Sequence, residues 1–201
     1  MSKKRVKKGE KIATFFKDNY SKSWAYIKES KNFIWAVIIL FSLSIVLGVL
    51  FQPPVIINLI LDYIQEVLIK TEGMSTSSMI GFILTNNLQS GFMGIIYGVF
   101  FGIFPIMVTI ANGYIVGYVS SSAVSSSGVS SLLNLLPHGI FELPAIFISF
   151  GMGLKFGTFV FHKEIIKHFN KFFLNSLRVF VFVVLPLLVI AAIIEGVLMF
   201  I

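Results

Sequence analysis

The sequence of 201 residues contains no cysteine, only three histidines, and few charged side chains, which make up 12% of the chain. Without cysteine, neither a disulfide framework nor a thiolate metal site can form. There is also no HExxH zinc-protease pattern, phosphate-binding loop, dinucleotide-binding fingerprint or serine-nucleophile motif. No complete catalytic set is left, so we expect a protein that is not an enzyme.

The hydrophobic content of 56% is far above the average of soluble proteins and indicates a membrane protein. Its net charge of +7 is concentrated in two places. Ten of the sixteen lysines and arginines precede residue 32, and five more lie between Lys155 and Arg178. Basic clusters beside apolar runs follow the positive-inside rule and attract anionic lipid. We therefore expect contact with the lipid bilayer and no nucleic-acid binding.

Apolar runs predict an all-α bundle of about five transmembrane helices with additional interfacial amphipathic helices. The 41 uncharged residues from Met79 to Val119 would form one helix of about 60 Å. That length is roughly twice the thickness of the hydrocarbon core, so two spans should meet at Gly102–Pro105. The other three spans are predicted at Phe33–Phe51, at about Leu132–Met152 and at Leu177–Phe200.

The chain then divides into a basic amphipathic segment, 1–31, and a transmembrane domain, 32–201. Because four crossings separate the two basic clusters, both lie in the cytoplasm, with the N-terminus inside and the C-terminus outside the cell membrane. Three connecting segments complete this prediction. Val55–Lys70 is an amphipathic helix, either re-entrant or at the outer surface, and Ser120–Ser131 is a flexible loop. Lys155–Asn175 is a basic interfacial segment with an apolar face.

Glycines repeat every four residues in two of the predicted spans, at Gly94, Gly98, Gly102, Gly113 and Gly117. Small residues at this spacing let helix backbones approach closely. The contact can lie within one protomer or form a homodimer interface. By contrast, the isolated Gly48 is not expected to make a close helix contact.

A few polar residues interrupt the apolar spans: Asn86, Asn87, Asn112, His138 and Glu142. An acidic residue at the centre of a membrane helix costs roughly 2.5 to 3.5 kcal/mol on insertion, and usually faces a bundle interior or a cavity. His138 and Glu142 are four residues apart and share a helix face. Helix breaks are expected around them at Pro137, Gly139 and Pro144. Glu195, near the outer end of the last span, is expected to reach the interface.

Three roles remain open for the His138–Glu142 pair. It can be a structural lock, in which Glu142 accepts a hydrogen bond from His138 or from an asparagine amide. It can bind a divalent metal, with zinc as the candidate, and further ligands could come from a second subunit. It can also relay protons.

The pair Asn86–Asn87 and the segments Gly98–Gly102, Asn112–Gly117, Leu136–Pro144 and Gly151–Gly157 together resemble the stage II sporulation protein M family. The resemblance covers about residues 33–200, and PHGIFELPA is its most specific piece. It implies a polytopic membrane protein without an established enzymatic activity, whose relatives in spore formers hold cell-wall hydrolases at the septal membrane. It also implies a marked site at Asn87, Asn112, His138, Gly139, Glu142 and Pro144. A membrane scaffold is the first functional hypothesis, and a homodimeric transporter or channel with its path at His138 and Glu142 is the alternative.

Overall fold

A computed structural model describes the backbone of residues 8–199, and the side chains of residues 9–132 and 139–199. Within this part the chain is helical and has no strand, which confirms the predicted all-α class. The helices are α1 (Lys8–Glu29), α2 (Lys31–Leu50), α3 (Pro54–Thr71), α4 (Thr76–Ile96), α5 (Ile103–Ser127), α6 (Leu136–Gly157), α7 (Ile165–Val179) and α8 (Leu185–Leu198). Short 3-10 turns occupy Tyr97–Val99, Val129–Leu135 and Thr158–Phe161, and a π-helical turn occupies Phe180–Val184.

Five of the described helical segments are long and apolar enough to cross a membrane, as the sequence predicts. They are Lys31–Leu50, Thr76–Val99, Ile103–Ser127, Gly139–Phe161 and Ile165–Leu198. The α2 helix stops before Pro53 and Pro54, the second of which begins α3, because proline has no amide hydrogen and its ring clashes with the preceding turn. The turn between α4 and α5 falls where it is expected, with Phe101 and Gly102 in the left-handed region at φ 56° and 71°.

The serine-rich segment 120–131 is not the flexible loop that its composition predicts. The α5 helix continues to Ser127 and ends at Gly128, which has φ 79°. Its serine hydroxyls donate to carbonyls of the preceding turn, for example Ser125 Oγ to the oxygen of Ser121 at 2.9 Å. These bonds satisfy the hydroxyls inside the helix, so the polar composition does not end it.

Helix α6 continues through Pro144 instead of breaking there. Proline is tolerated in membrane helices when neighbouring helices and local adjustment support the freed backbone groups. Gly139 likewise lies within the helix, and a Cβ at this position would meet only the side chain of Leu143 at ordinary distance. The predicted interfacial segment Lys155–Asn175 is also divided differently, because Lys155 belongs to α6 and α7 joins α8 through the π-helical turn.

Helix α6 is the most buried of the five spans, with 56% of its apolar window buried against 22% to 33% for the others. It runs in the same direction as α4 and packs closely against it. A Cβ at Gly98 would lie 2.8 Å from Cα of Gly153, and one at Gly94 would lie 2.5 Å from the ring of Phe150. Gly102, in the turn that follows, lies against Leu154. The centre of the bundle is therefore the contact between α4 and α6.

The second close contact joins α5 to α2. A Cβ at Gly113 would lie 2.6 Å from the carbonyl oxygen of Phe41, and one at Gly117 would lie 2.9 Å from the carbonyl carbon of Ile45. Gly48 is part of the same contact, because its Cβ would lie 3.0 Å from the carbonyl carbon of Tyr114. The expectation that Gly48 stands apart was wrong, since it contacts the backbone of Tyr114 and Tyr118 on another helix, and such a contact needs no glycine repeat in its own helix.

Candidate functional site

A cavity of about 540 Å³ lies between α3, α4, α6 and α8. Its carboxyl and amide lining is formed by four side chains: Asn86, Asn87, Glu142 and Glu195. The remaining lining is mostly apolar and includes Phe82, Ile83 and Met199. Two carboxyl groups and two amides therefore share one cavity among membrane-spanning helices.

Asn87 and Glu142 form the inner part of this polar group. Asn87 is only 7% exposed, and its side-chain amide interacts with the carboxyl group of the half-buried Glu142. The two residues come together because α4 and α6 run side by side in the same direction. Gly91, one turn beyond Asn87, lies against Ser149, two turns beyond Glu142. The glycine contacts of the bundle thus fix the separation of the amide and the carboxyl group.

Glu195 reaches the cavity from α8, which packs against α4 in the opposite direction. A Cβ at Gly196 would lie 3.2 Å from Cα of Ile80, so the backbones of α8 and α4 approach closely just beside Glu195. The charges of Glu195 and Glu142 act on each other. Glu195 is half-buried and lines the same cavity, whereas the sequence predicts that it reaches the membrane interface.

The arrangement favours a bound proton or cation. Two carboxylates that share a site of low dielectric constant repel each other, and a proton or a cation between them relieves that repulsion. Carboxylate and amide oxygens are the ligands that hard cations prefer. The carboxyl and amide oxygens of this cavity are therefore suited to a proton or a hard cation. Among its described lining residues the cavity has no nucleophile paired with a base.

Helix α3 forms the outer wall of the cavity through Val67, Leu68 and Thr71. It has one buried side chain, Ile60, while Leu59, Leu68 and Ile69 are each at least 63% exposed. The wall contributed by α3 is therefore held by much less packing than the walls contributed by α4, α6 and α8.

The structure brings together only part of the predicted site. Asn86, Asn87 and Glu142 line one cavity, whereas Asn112 lies half-buried on α5 and does not line it. The side chains of Pro137 and His138 lie outside the described residues, so the pairing of His138 with Glu142 stays a prediction. The zinc site proposed for that pair stays a prediction as well. Among the described side chains, no group of three His, Asp or Glu residues could hold a metal ion.

Sequence reasoning missed Glu195 although the signal was present. The cost of a carboxyl group in an apolar span applies to Glu195 as it does to Glu142. Its position near the end of a span suggested contact with water, and only the register of α8 against α4 shows where it points. A second residue was missed for the same reason, that contacts between helices decide its burial. It is Lys155, a buried lysine at the opposite end of α6.

Lys155 is 5% exposed, although the sequence places it in a surface segment. Its Nζ lies 2.9 Å from Oε1 of Glu29, donates to Ser30 Oγ at 3.0 Å, and lies 4.1 Å from the ring centre of Tyr26. A buried ammonium group needs such compensation because desolvation is costly. Lys155 therefore ties the end of α1 to the bundle.

Comparison with known proteins matches residues 32–198 to the family described as Stage II sporulation protein M. No curated protein and no solved structure matches the chain. The matched region contains nearly all of α2 and the whole of α3 to α8, together with the carboxyl and amide residues of the polar cavity, and it leaves out α1.

Proposed function

This chain belongs to the stage II sporulation protein M family, and from that premise we propose that it is a non-enzymatic scaffold that assembles other proteins in the cell membrane. In this proposal the N-terminus lies in the cytoplasm and the C-terminus outside, because both basic clusters then follow the positive-inside rule. Its partners are the lipid bilayer and other membrane or envelope proteins.

The observation that carries this proposal is an apolar groove between α3 and α5. The groove has a volume of about 490 Å³ and is lined by apolar and tyrosine side chains, among them Leu59 and Tyr63 of α3 and Met107 of α5. Leu59 and Met107 are 65% and 63% exposed. An apolar helix of a second membrane protein fits such a groove through van der Waals packing, which drives helix association in lipid.

Site-specific crosslinking tests the proposal. A photoreactive residue at Leu59, inside the groove, should crosslink to a membrane segment of one envelope protein in native membranes. The matched control is Leu61, which is 47% exposed on the same helix but lines neither the groove nor the polar cavity. Position 61 should give no crosslink to that protein.

The scaffold proposal fails if positions 59 and 61 give the same crosslinks, or if neither gives a protein adduct. Leu59→Lys should also abolish co-purification of the crosslinked partner in mild detergent, because a lysine in the groove would be desolvated by the partner helix. Leu61→Lys should leave co-purification intact.

A second function, transport of protons or cations by a homodimer, is favoured by the polar cavity. Two carboxyl groups among spanning helices are a common feature of ion and proton paths. One protomer with five spans is small for a transporter, so a path would be completed by a second copy.

Reconstitution in liposomes distinguishes this second function from the scaffold. Flux should depend on Glu142 and Glu195, and replacement of either residue by glutamine should reduce it strongly. Absence of proton or cation flux under imposed gradients, with the protein folded and correctly inserted, would refute transport and leave the scaffold proposal unaffected.

A further inference from the structure

A second groove, distinct from the polar cavity, lies between the first half of α1 and the junction of α7 with α8. It has a volume of about 750 Å³. Phe15 and Phe16 of α1 and Phe182 form an aromatic cluster along the groove, with ring centres 5.7 to 6.0 Å apart in edge-to-face pairs. Tyr20 and Val181 line it as well. The lining is therefore almost entirely aromatic and aliphatic.

The π-helical turn Phe180–Val184 shapes this groove. Pro186, two residues after the turn, has no amide hydrogen, so the carbonyl of Phe182 lacks the usual donor four residues later. Single π-helical turns occur frequently at functional sites. Here the turn positions Phe182 beside α1 and leaves Val181 45% exposed on the groove wall.

The position of α1 against this junction is fixed by two polar contacts along the helix. Arg178 Nε donates to Oδ1 of Asn19 at 3.1 Å, one turn from Phe182 and one turn from Phe15. Farther along α1, Lys155 holds Glu29 at 2.9 Å. The groove is thus a built feature of the fold, although α1 lies outside the region matched by the family.

The charge at the groove is positive. Lys17 lines it, and among the described residues Lys17 forms no ion pair. The wider charge balance is also positive, since α1 carries five lysines against two glutamates and one aspartate, and the facing helix contributes Arg178. An apolar groove with an unpaired ammonium group at its edge is complementary to a molecule with an apolar chain and an anionic head.

We propose that this groove binds an anionic phospholipid of the surrounding bilayer, with an acyl chain along the aromatic cluster and the phosphate at Lys17. Phe16 and Tyr20, which are 57% and 56% exposed, are then covered by lipid. The bilayer supplies this ligand next to any chain with five spanning helices. The inference does not depend on the scaffold function, because the groove lies at a different place from both α3 and the polar cavity.

Native mass spectrometry of the full-length protein in detergent, titrated with phosphatidylglycerol or phosphatidylcholine, tests this inference. The wild type should retain phosphatidylglycerol in preference to phosphatidylcholine. Lys17→Gln should weaken phosphatidylglycerol binding about fivefold, the effect expected of one basic residue at an anionic surface, and should not change phosphatidylcholine binding. Lys22→Gln, on the same helix but outside the groove, is the matched control and should have a smaller effect.

Val181→Trp fills the groove and should weaken binding of both lipids, while circular dichroism confirms that the helices remain folded. Equal effects of Lys17→Gln and Lys22→Gln would show general attraction to the basic surface and overturn the site. Unchanged lipid binding by Val181→Trp would overturn it as well. Dissociation of a dimer by Val181→Trp, without change in lipid binding, would instead assign the groove to a second copy of the chain.

Discussion

The substitution Gly153→Ala tests the close contact between α4 and α6 on which the polar cavity depends. The Cβ of alanine would overlap the carbonyl oxygen of Gly94 and lie 3.1 Å from its carbonyl carbon. Both atoms belong to the backbone, so no side-chain rotation relieves the overlap. To restore ordinary contact the two helices must separate by about 1 Å, which forfeits up to roughly half of the dispersion energy of the atoms involved.

The magnitude follows from two opposed effects. Overpacking of this kind costs about 1 to 3 kcal/mol, and contact with rigid backbone places Gly153→Ala in the upper half of that range. Alanine is about 1 kcal/mol better than glycine inside a helix. The free energy of unfolding should therefore fall by about 1 to 2 kcal/mol. The control is Gly81→Ala in α4, where no atom lies within 4 Å of the added Cβ. Because only helix propensity acts there, Gly81→Ala should raise stability by roughly 0.5 to 1 kcal/mol.

Equilibrium unfolding in mixed detergent micelles, followed by circular dichroism, measures both variants. The two changes have opposite signs, so the comparison does not depend on the absolute stability in a given detergent. If Gly153→Ala were as stable as Gly81→Ala, the backbones of α4 and α6 would not be in contact, and the described geometry of the cavity would be refuted.

Three further substitutions examine the buried polar groups, each by the same unfolding assay. Glu29→Gln removes the charge that compensates the buried ammonium group of Lys155, and should lower the free energy of unfolding by about 1 to 2 kcal/mol. The control Glu66→Gln, in an exposed ion pair, should change stability little. Equal effects of the two substitutions would contradict the structural role of Lys155. Burial raises the pKa of Tyr26, so the folded phenol stays neutral while the unfolded one ionises near pH 10, and stability should fall above about that pH. Tyr26→Phe should remove this alkaline loss, and an unchanged pH profile would contradict it. Glu142→Leu leaves Asn87 without its partner and should lower the free energy of unfolding by about 1 to 3 kcal/mol. Glu142→Gln retains a hydrogen-bonding group and should lower it less. If Glu142→Gln were the more destabilising of the two, the charge of Glu142 would be its dominant contribution.

The buried hydroxyl group of Tyr26 should also affect stability at neutral pH. The hydroxyl groups of Tyr26 and Ser176 interact, yet among the described residues neither buried oxygen has a partner at hydrogen-bond geometry. Removing an unsatisfied buried hydroxyl while keeping the ring should be neutral or stabilising. The ring itself must stay, because it lies 4.1 Å from the ammonium group of Lys155.

The number of spans could be predicted because it follows from length and charge alone. An uncharged run twice as long as the hydrocarbon core must turn once, and Gly102 supplies the left-handed conformation for that turn. The repeats of Gly94 and Gly98 likewise indicated a close helix contact before its partner was known. These predictions depend on local sequence and on the thickness of the bilayer.

The rest depends on which helix faces which, and a single sequence does not contain that register. Glu195 joins Glu142 only because Gly196 brings α8 against α4. Lys155 is buried only because Glu29 and Tyr26 come from a helix far away in sequence. Local composition suggested surface positions for both residues, and the interhelical contacts overrode it.

The two buried charged sites lie toward opposite ends of α6 and are joined by its contact with α4. From Glu142 to Lys155 the helix rises about 20 Å, and along that length the glycines of α4 lie against Ser149, Phe150 and Gly153. A change of separation at Gly153 must therefore be transmitted toward Asn87 and Glu142, because packed backbones move as rigid elements. It follows that Gly153→Ala should weaken any cation or proton binding at the cavity as well as stability, although Gly153 lines no part of it.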